Sequence, residues 1–104
     1  MWILQSSPPE TDQSGENDPM TFRLAAGAVK TVGRATRADF IVDAALVSRF
    51  HCRLTAGDET VEVIDLKSTN GTFVNDRRVQ KAKLTAGDRL RVGRIELKIA
   101  RAKK

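Results

Sequence analysis

After residue 20, apolar and polar residues alternate with a period of two, in short runs broken by glycine, asparagine and aspartate. That period belongs to half-buried β-strands, whose successive side chains point to opposite faces. Thr21-Phe22-Arg23-Leu24, Lys30-Thr31-Val32 and Phe40-Ile41-Val42 read as three strands. From Phe50 the pattern sets Phe50, Cys52 and Leu54 on one face and His51, Arg53 and Thr55 on the other. Ala56-Gly57-Asp58-Glu59 makes a turn and Val61-Glu62-Val63-Ile64 returns. Thr72-Phe73-Val74 and Arg77-Arg78-Val79 flank Asn75-Asp76, a pair suited to a two-residue hairpin turn, with modest strain where Asp76 takes left-handed angles. Leu90 to Ile99 is a further hairpin turning at Gly93-Arg94, with Val92 opposite Ile95. No window carries a helical period, and Ala44 to Val47 is too short for more than a turn. The expected fold class is all-β, a sandwich of antiparallel strands.

The segment before residue 20 has a different texture. Trp2-Ile3-Leu4 reads as a short edge strand. Ser6 to Asp18, with Pro8-Pro9, Ser14-Gly15, four acids and no large apolar residue, reads as linker. The expected organisation is a strand and flexible acidic linker over 1–19, one β domain over 20–100 and a basic tail over 101–104. A chain of 104 residues is long enough for one core without disulfides. The single cysteine, Cys52, fits a reducing compartment, and no apolar run approaches the length of a membrane helix. A cytoplasmic protein is expected.

Charge narrows the partners. All 18 Lys and Arg residues lie after residue 20, against 9 of the 13 acids, so that part carries a net +9. A body this basic attracts anions: nucleic acid, an acidic membrane surface, or a phosphorylated or acidic protein. Nucleic-acid grooves stack bases on exposed aromatics. The aromatics here are Trp2, Phe22, Phe40, Phe50 and Phe73, most at core-facing positions, so nucleic acid is the alternative reading and not the first.

The candidate chemistry sits in three polar stretches. Lys67-Ser68-Thr69-Asn70-Gly71-Thr72 is a cluster of hydroxyl, amide and glycine between two apolar runs. Ser48-Arg49-Phe50-His51 stands about twenty residues before it, and Val32-Gly33-Arg34 earlier still. Such loops offer donors, not acids or bases. A phosphate group carries three acceptor oxygens and nearly two negative charges, and it calls for a planar cation and small neutral donors. Arg34, Ser48, Arg49, Lys67, Ser68 and Thr69 are residues of that kind. Ser48 with His51 has no glycine elbow, and its orienting acid would have to come from Asp39, Asp43 or Asp65. One His and one Cys make no metal set. The chain therefore reads as non-catalytic, with no cofactor. Val-Gly-Arg recurs at 92 to 94, but in a tight hairpin, so Gly33-Arg34 alone reads as a ligand arm.

Gly33-Arg34, then Ser48-x-x-His51, then Asn70-Gly71, in that order and spacing, resembles the forkhead-associated (FHA) domain over roughly residues 21 to 100. The resemblance implies a β-sandwich whose loops at one end bind phosphothreonine peptides. It implies phosphate contacts from Arg34, Ser48, Thr69 and Arg49, and capture of the peptide main chain by Asn70. Gly33 and His51 are structural parts of the loops in that family, and Gly71 is expected at positive φ. Selectivity for the residue three positions after the phosphothreonine falls to Ala45, Leu46 and Val47, Leu46 foremost, and their apolar character implies an aliphatic preference. The implied role is an adaptor in Ser/Thr kinase signalling, with phosphothreonine-containing proteins as partners. Thr11, in the acidic segment, would if phosphorylated be a competing ligand tethered to the same chain, against which stands Ser14, three residues on, which does not suit an apolar selectivity.

Overall fold

The computed structural model of the protein describes residues 1–6 and 20–102. Its strands are β1 (Trp2–Ser6), β2 (Thr21–Leu24), β3 (Val29–Gly33), β4 (Phe40–Ile41), β5 (Cys52–Ala56), β6 (Val61–Asp65), β7 (Thr72–Val74), β8 (Arg77–Val79), β9 (Lys81–Leu84), β10 (Arg89–Val92) and β11 (Ile95–Arg101), with no helix among the described residues. They form a six-stranded sheet in the order β2-β1-β11-β10-β7-β8 and a five-stranded sheet in the order β4-β3-β5-β6-β9. All pairings are antiparallel except β3 with β4, where Val32 lies opposite Phe40 in a short parallel contact.

The alternation decides the core. Leu4, Leu24, Leu90, Val92, Leu97 and Ile99 point inward from one sheet, and Val32, Leu54, Val61, Val63 and Leu84 from the other, all fully buried. Each such side chain contributes roughly 1.5–3 kcal/mol of transfer free energy. Phe22 of the first sheet stacks on Phe40 of the second, ring centroids 4.6 Å apart. Phe73 lies under the Arg91 guanidinium. With Trp2 and Phe40 buried, Phe50 is the one large exposed aromatic among the described residues.

Four expectations need correction or completion. The expected edge strand is an inner one: β1 pairs with β11 on one side and β2 on the other. Its alternation hides Trp2 and Leu4, and the Trp2 indole N–H donates to the Gly57 carbonyl at 3.0 Å. Residues 7–19 thus connect two neighbouring antiparallel strands. The ends of that connection are bonded to each other, the Ser6 N–H donating to the Met20 carbonyl at 2.9 Å and the Met20 N–H to the Ser6 hydroxyl at 2.6 Å. Thr11 lies outside the described residues.

The second correction concerns Phe50 and His51. β5 begins only at Cys52, so the alternation fails before it: Phe50 is 44% exposed and His51 is fully buried. Third, β9 was not anticipated, because Lys81-Ala82-Lys83 has one small apolar residue. Ala82 nonetheless turns inward opposite Val63. Finally, the Asn75-Asp76 turn forms with both residues at positive φ, +49° and +70°, so that Val74 faces Arg77. That is the backbone of a type I′ hairpin.

Candidate functional site

Three connections meet at one end of the sandwich: residues 42–51 between β4 and β5, residues 66–71 between β6 and β7, and the Gly93-Arg94 turn between β10 and β11. The first is welded to β3 by continuing its ladder. The Arg34 N–H donates to the Ser48 carbonyl at 3.0 Å, the Ala35 N–H to the Arg49 carbonyl at 3.1 Å, and the His51 N–H to the Val32 carbonyl at 2.7 Å. Gly33 makes this approach possible. A Cβ there would stand 2.0 Å from the Arg49 carbonyl oxygen, so any side chain would push the two segments apart. The Arg34 and Arg49 side chains are both exposed above this ladder.

The second loop is tied to the first through side chains. Ser48 Oγ accepts the Thr69 N–H at 3.0 Å, and Asn70 Nδ2 donates to the Leu46 carbonyl at 3.1 Å. Beneath them lies His51, whose Nδ1 accepts the Ser48 N–H at 3.0 Å while Nε2 lies 2.8 Å from the Gly71 carbonyl. A backbone N–H pointing at Nδ1 places the ring proton on Nε2, which donates to Gly71. Both ring nitrogens are thereby used, and neither meets the Ser48 hydroxyl, so the geometry forms no nucleophile and base. Gly71 takes φ +92°, as expected of the residue that turns its carbonyl down to the histidine.

A second buried network stiffens the same loop, and sequence reasoning missed it. Asp65 Oδ1 accepts the Ser68 hydroxyl at 2.5 Å and the Thr72 hydroxyl at 2.7 Å, and Oδ2 accepts the Ser68 N–H at 3.1 Å. Ser68 Oγ in turn accepts the Gly71 N–H at 3.0 Å. Burial pushes the Asp65 carboxyl up, but the bonds from the Ser68 and Thr72 side chains and from the Ser68 N–H outweigh it, and the net shift is downward. Ser68, grouped by sequence with the phosphate donors, is buried with its hydroxyl engaged on both sides and belongs to the scaffold. The signal was the Asp-x-x-Ser spacing, which makes a side-chain-to-backbone turn. Asp65, weighed by sequence as an orienting acid, faces serine and threonine. Cys52 lies below, its thiol pushed up to about 12 by burial and then by Asp65.

The surface left above these networks holds Arg34, Arg49, Lys67, Thr69 and Asn70, all exposed, and half-buried Ser48. Lys67 and Leu46 stand at positive φ, +56° and +71°. Leu46, 44% exposed, crowns the loop from Ala45 to Val47. The Gly93 turn braces that loop, since a Cβ on Gly93 would lie 3.0 Å from the Ala45 carbonyl and 3.0 Å from Val47. The look-alike Gly-Arg pair is thus a hairpin turn, as expected, though at the same end as the site. Sequence-predicted Gly33, Arg34, Leu46, Ser48, Arg49, His51, Thr69, Asn70 and Gly71 all fall at this end. No group of three potential metal ligands occurs among the described residues.

The FHA domain family profile matches residues 30–93. Among curated relatives, the chain is 41% identical over 81 residues to the ABC transporter ATP-binding/permease protein Rv1747 of Mycobacterium tuberculosis, a match covering 78% of this chain and 9% of that protein. The chain spans less than half the length of the curated relatives it matches. Among solved structures, an FHA domain from work on phosphothreonine-dependent FHA domain interactions superposes with a TM-score of 0.79 at 32% identity, covering 99% of this chain and 98% of that one. The FHA domain of FhaA, solved in complex with the intracellular domain of Rv3910, superposes with a TM-score of 0.77 at 33% identity, covering 95% and 99%.

Proposed function

The chain belongs to the FHA domain family, and from that premise we propose that its loop end captures phosphothreonine in partner proteins, as a non-catalytic adaptor in Ser/Thr kinase signalling. One observation carries the reading. The backbone at Arg34 and Ala35 is bonded to the Ser48 and Arg49 carbonyls, so two exposed arginines rise from joined segments that also carry the Ser48 hydroxyl, whose lone pair is occupied by the Thr69 N–H. That hydroxyl keeps its own proton to donate. Two guanidinium groups and a fixed O–H suit three acceptor oxygens with nearly two charges, and the Asp65 carboxylate that could repel them is turned inward and fully bonded.

The arrangement supports the residue roles that the family resemblance implies. Arg34, Ser48, Arg49 and Thr69 take the phosphate. Asn70 spends one amide hydrogen on Leu46 and keeps its carbonyl oxygen and second hydrogen for the peptide main chain. Leu46, raised and apolar, selects an aliphatic side chain three residues after the phosphothreonine. Gly33, His51 and Gly71 hold the frame. The solved FHA domains with phosphothreonine-dependent interactions and with a bound intracellular domain support a protein partner. A free buried thiol fits action in the cytoplasm. Among the described residues no helix is long and apolar enough to cross a membrane.

The test is calorimetric titration with one peptide in four forms, carrying phosphothreonine, phosphoserine, threonine or aspartate at one position. Binding confined to the phosphothreonine form, and weakened by roughly 2–5 kcal/mol in Arg34→Ala as a charge contact is truncated, is the expected result. Equal binding of the aspartate form overturns the reading.

A further inference from the structure

We propose that a row of outward side chains on the six-stranded sheet, Arg78, Phe73 and Arg91, forms a second contact surface that reads acidic residues in the partner segment flanking the phosphothreonine. This rests on the phosphothreonine reading above and extends it to the partner's chemistry beyond the phosphate.

The row is fixed by register. Phe73 lies opposite Arg78 on β8 and opposite Arg91 on β10. Their sequence neighbours Thr72, Leu90 and Val92 are fully buried, so the alternation turns Phe73, Arg78 and Arg91 to the outer face. Both arginines are seated before any ligand arrives. The Arg91 guanidinium lies 4.3 Å above the centre of the Phe73 ring. The Arg78 side chain leans back along the sheet onto Gly71, where an added Cβ would meet its Nε at 2.7 Å and its Cζ at 3.1 Å. Gly71 is the residue after Asn70, so Arg78 stands at the rim of the phosphate loop and Arg91 two strands further on. At the usual strand spacing that is a step of about 10 Å, the span of about three residues of extended peptide.

Among the described residues both charges also lack an acidic partner. The acids beside them, Asp76 and Glu96, go to Arg89 instead, at 3.2 and 3.6 Å. Glu96 does so although it lies directly opposite Arg91 in the ladder. Among the described residues neither Arg78 nor Arg91 forms an ion pair. A planar guanidinium already packed on a ring or on a glycine loses little further freedom when a carboxylate docks. Exposed pairs are individually weak, so a two-contact row amounts to about a five-fold gain at low salt, falling as salt rises.

The experiment titrates the full chain with phosphothreonine peptides sharing one core and carrying Asp/Glu or Asn/Gln flanks, placed before or after the phosphothreonine. The expected result is about five-fold tighter binding of one acidic-flank peptide, with the gain abolished in R78Q/R91Q. That variant still binds the neutral-flank peptide like wild type. R53Q/K83Q, which removes two exposed charges from the outer face of the other sheet, retains the gain. Equal binding of acidic and neutral flanks overturns the row while leaving the phosphothreonine reading intact, as does a gain that survives in R78Q/R91Q. Failure of every phosphopeptide to bind overturns both. A labelled DNA duplex whose binding disappears in R78Q/R91Q, with no flank preference among the peptides, reassigns the row to nucleic acid and overturns the proposal.

Discussion

The Asn70 side-chain amide holds the carbonyl of Leu46, 24 residues earlier, at 3.1 Å, and Leu46 is the residue of its loop whose φ, +71°, is left-handed. An L-residue in that conformation costs about 1–2 kcal/mol, so the bond pins a loop that would otherwise relax. Asn70→Ala therefore frees the Leu46 loop and, on the proposed reading, also removes a main-chain contact to the peptide. We expect phosphopeptide affinity to fall by about 1.5–3 kcal/mol while the melting temperature of this exposed-site variant stays near that of wild type. Leu46→Gly separates the two effects: it relieves the backbone, leaves Asn70 in place and erases the aliphatic preference in an oriented peptide library. A library dominated by Asp or Glu three residues after the phosphothreonine contradicts the assignment.

Gly33 and Gly27 differ in why they are glycine. Gly27 is at φ +86° with open space around it, whereas Gly33 faces a backbone oxygen 2.0 Å from where its Cβ would be. Gly27→Ala should cost about 1 kcal/mol of conformational strain. Gly33→Ala should cost more than about 3 kcal/mol or prevent folding, since neither backbone segment can give way within the ladder. Chemical denaturation of the two variants side by side is the measurement.

His51→Ala leaves the part-buried Ser48 N–H and the buried Gly71 carbonyl without partners, each worth up to about 1–3 kcal/mol, together with a cavity. A stability loss of about 3–5 kcal/mol is expected, and peptide affinity should fall only as far as the loops loosen. A His51→Ala protein of native stability that binds poorly would make the ring a direct ligand contact.

The Asp65 carboxyl is held below its ordinary range in the folded protein, so the folded state binds that proton more weakly than the unfolded chain does. Its contribution is complete above the unfolded value, near 4, and is lost as pH falls through the lower folded one. Wild type should therefore lose stability steeply below about pH 4. Asp65→Asn should lose about 2–3 kcal/mol at neutral pH, because an amide cannot accept from every donor around it, and its stability should depend less on pH in the acid range. Melting temperatures between pH 2 and 7 for both proteins decide this.

Asp76 occupies a left-handed turn position with φ +70° and an exposed ion pair to Arg89 at 3.2 Å. The strain exceeds what an exposed pair returns, about 0.2–1 kcal/mol. Asp76→Gly should accordingly raise stability by about 0.5 kcal/mol, read as a shift in denaturation midpoint at unchanged slope.

What could be read in advance was local. The Val92 to Ile95 hairpin, the Asn75-Asp76 turn and the left-handed Gly71 follow from period-two alternation and turn chemistry within a few residues. The spaced motifs point to loops gathered at one end, but the long-range strand partnerships were not legible. Trp2-Ile3-Leu4 has the composition of any short strand, and nothing nearby says that β11 and β2 will flank it. Ser48 and Ser68 both stand in polar loops, and the one local sign that Ser68 turns onto Asp65, the Asp-x-x-Ser spacing, is common enough to pass unread beside a cluster of hydroxyls. His51 next to Phe50 defeats the alternation because the segment before β5 follows the β3 ladder rather than its own period. The Lys81-Ala82-Lys83 strand hides because Ala82, its inward residue between two lysines, is too small to mark a face.

The inner position of β1 bears on how the molecule assembles. Leu4 lies opposite Ile99 and Trp2 opposite Arg101, so the six-stranded sheet cannot close until residues nearly the whole chain apart have met. Closing so long a loop is entropically costly before any contact rewards it, and all-β domains with such distant pairings fold in about milliseconds to seconds. Until then the β11 edge of β1 stays unpaired beside apolar Trp2 and Leu4, which leaves the folding chain open to association with other chains. Trp2 is the one tryptophan in the sequence, and its passage from water to core makes the fluorescence of a refolding experiment a direct clock for that closure.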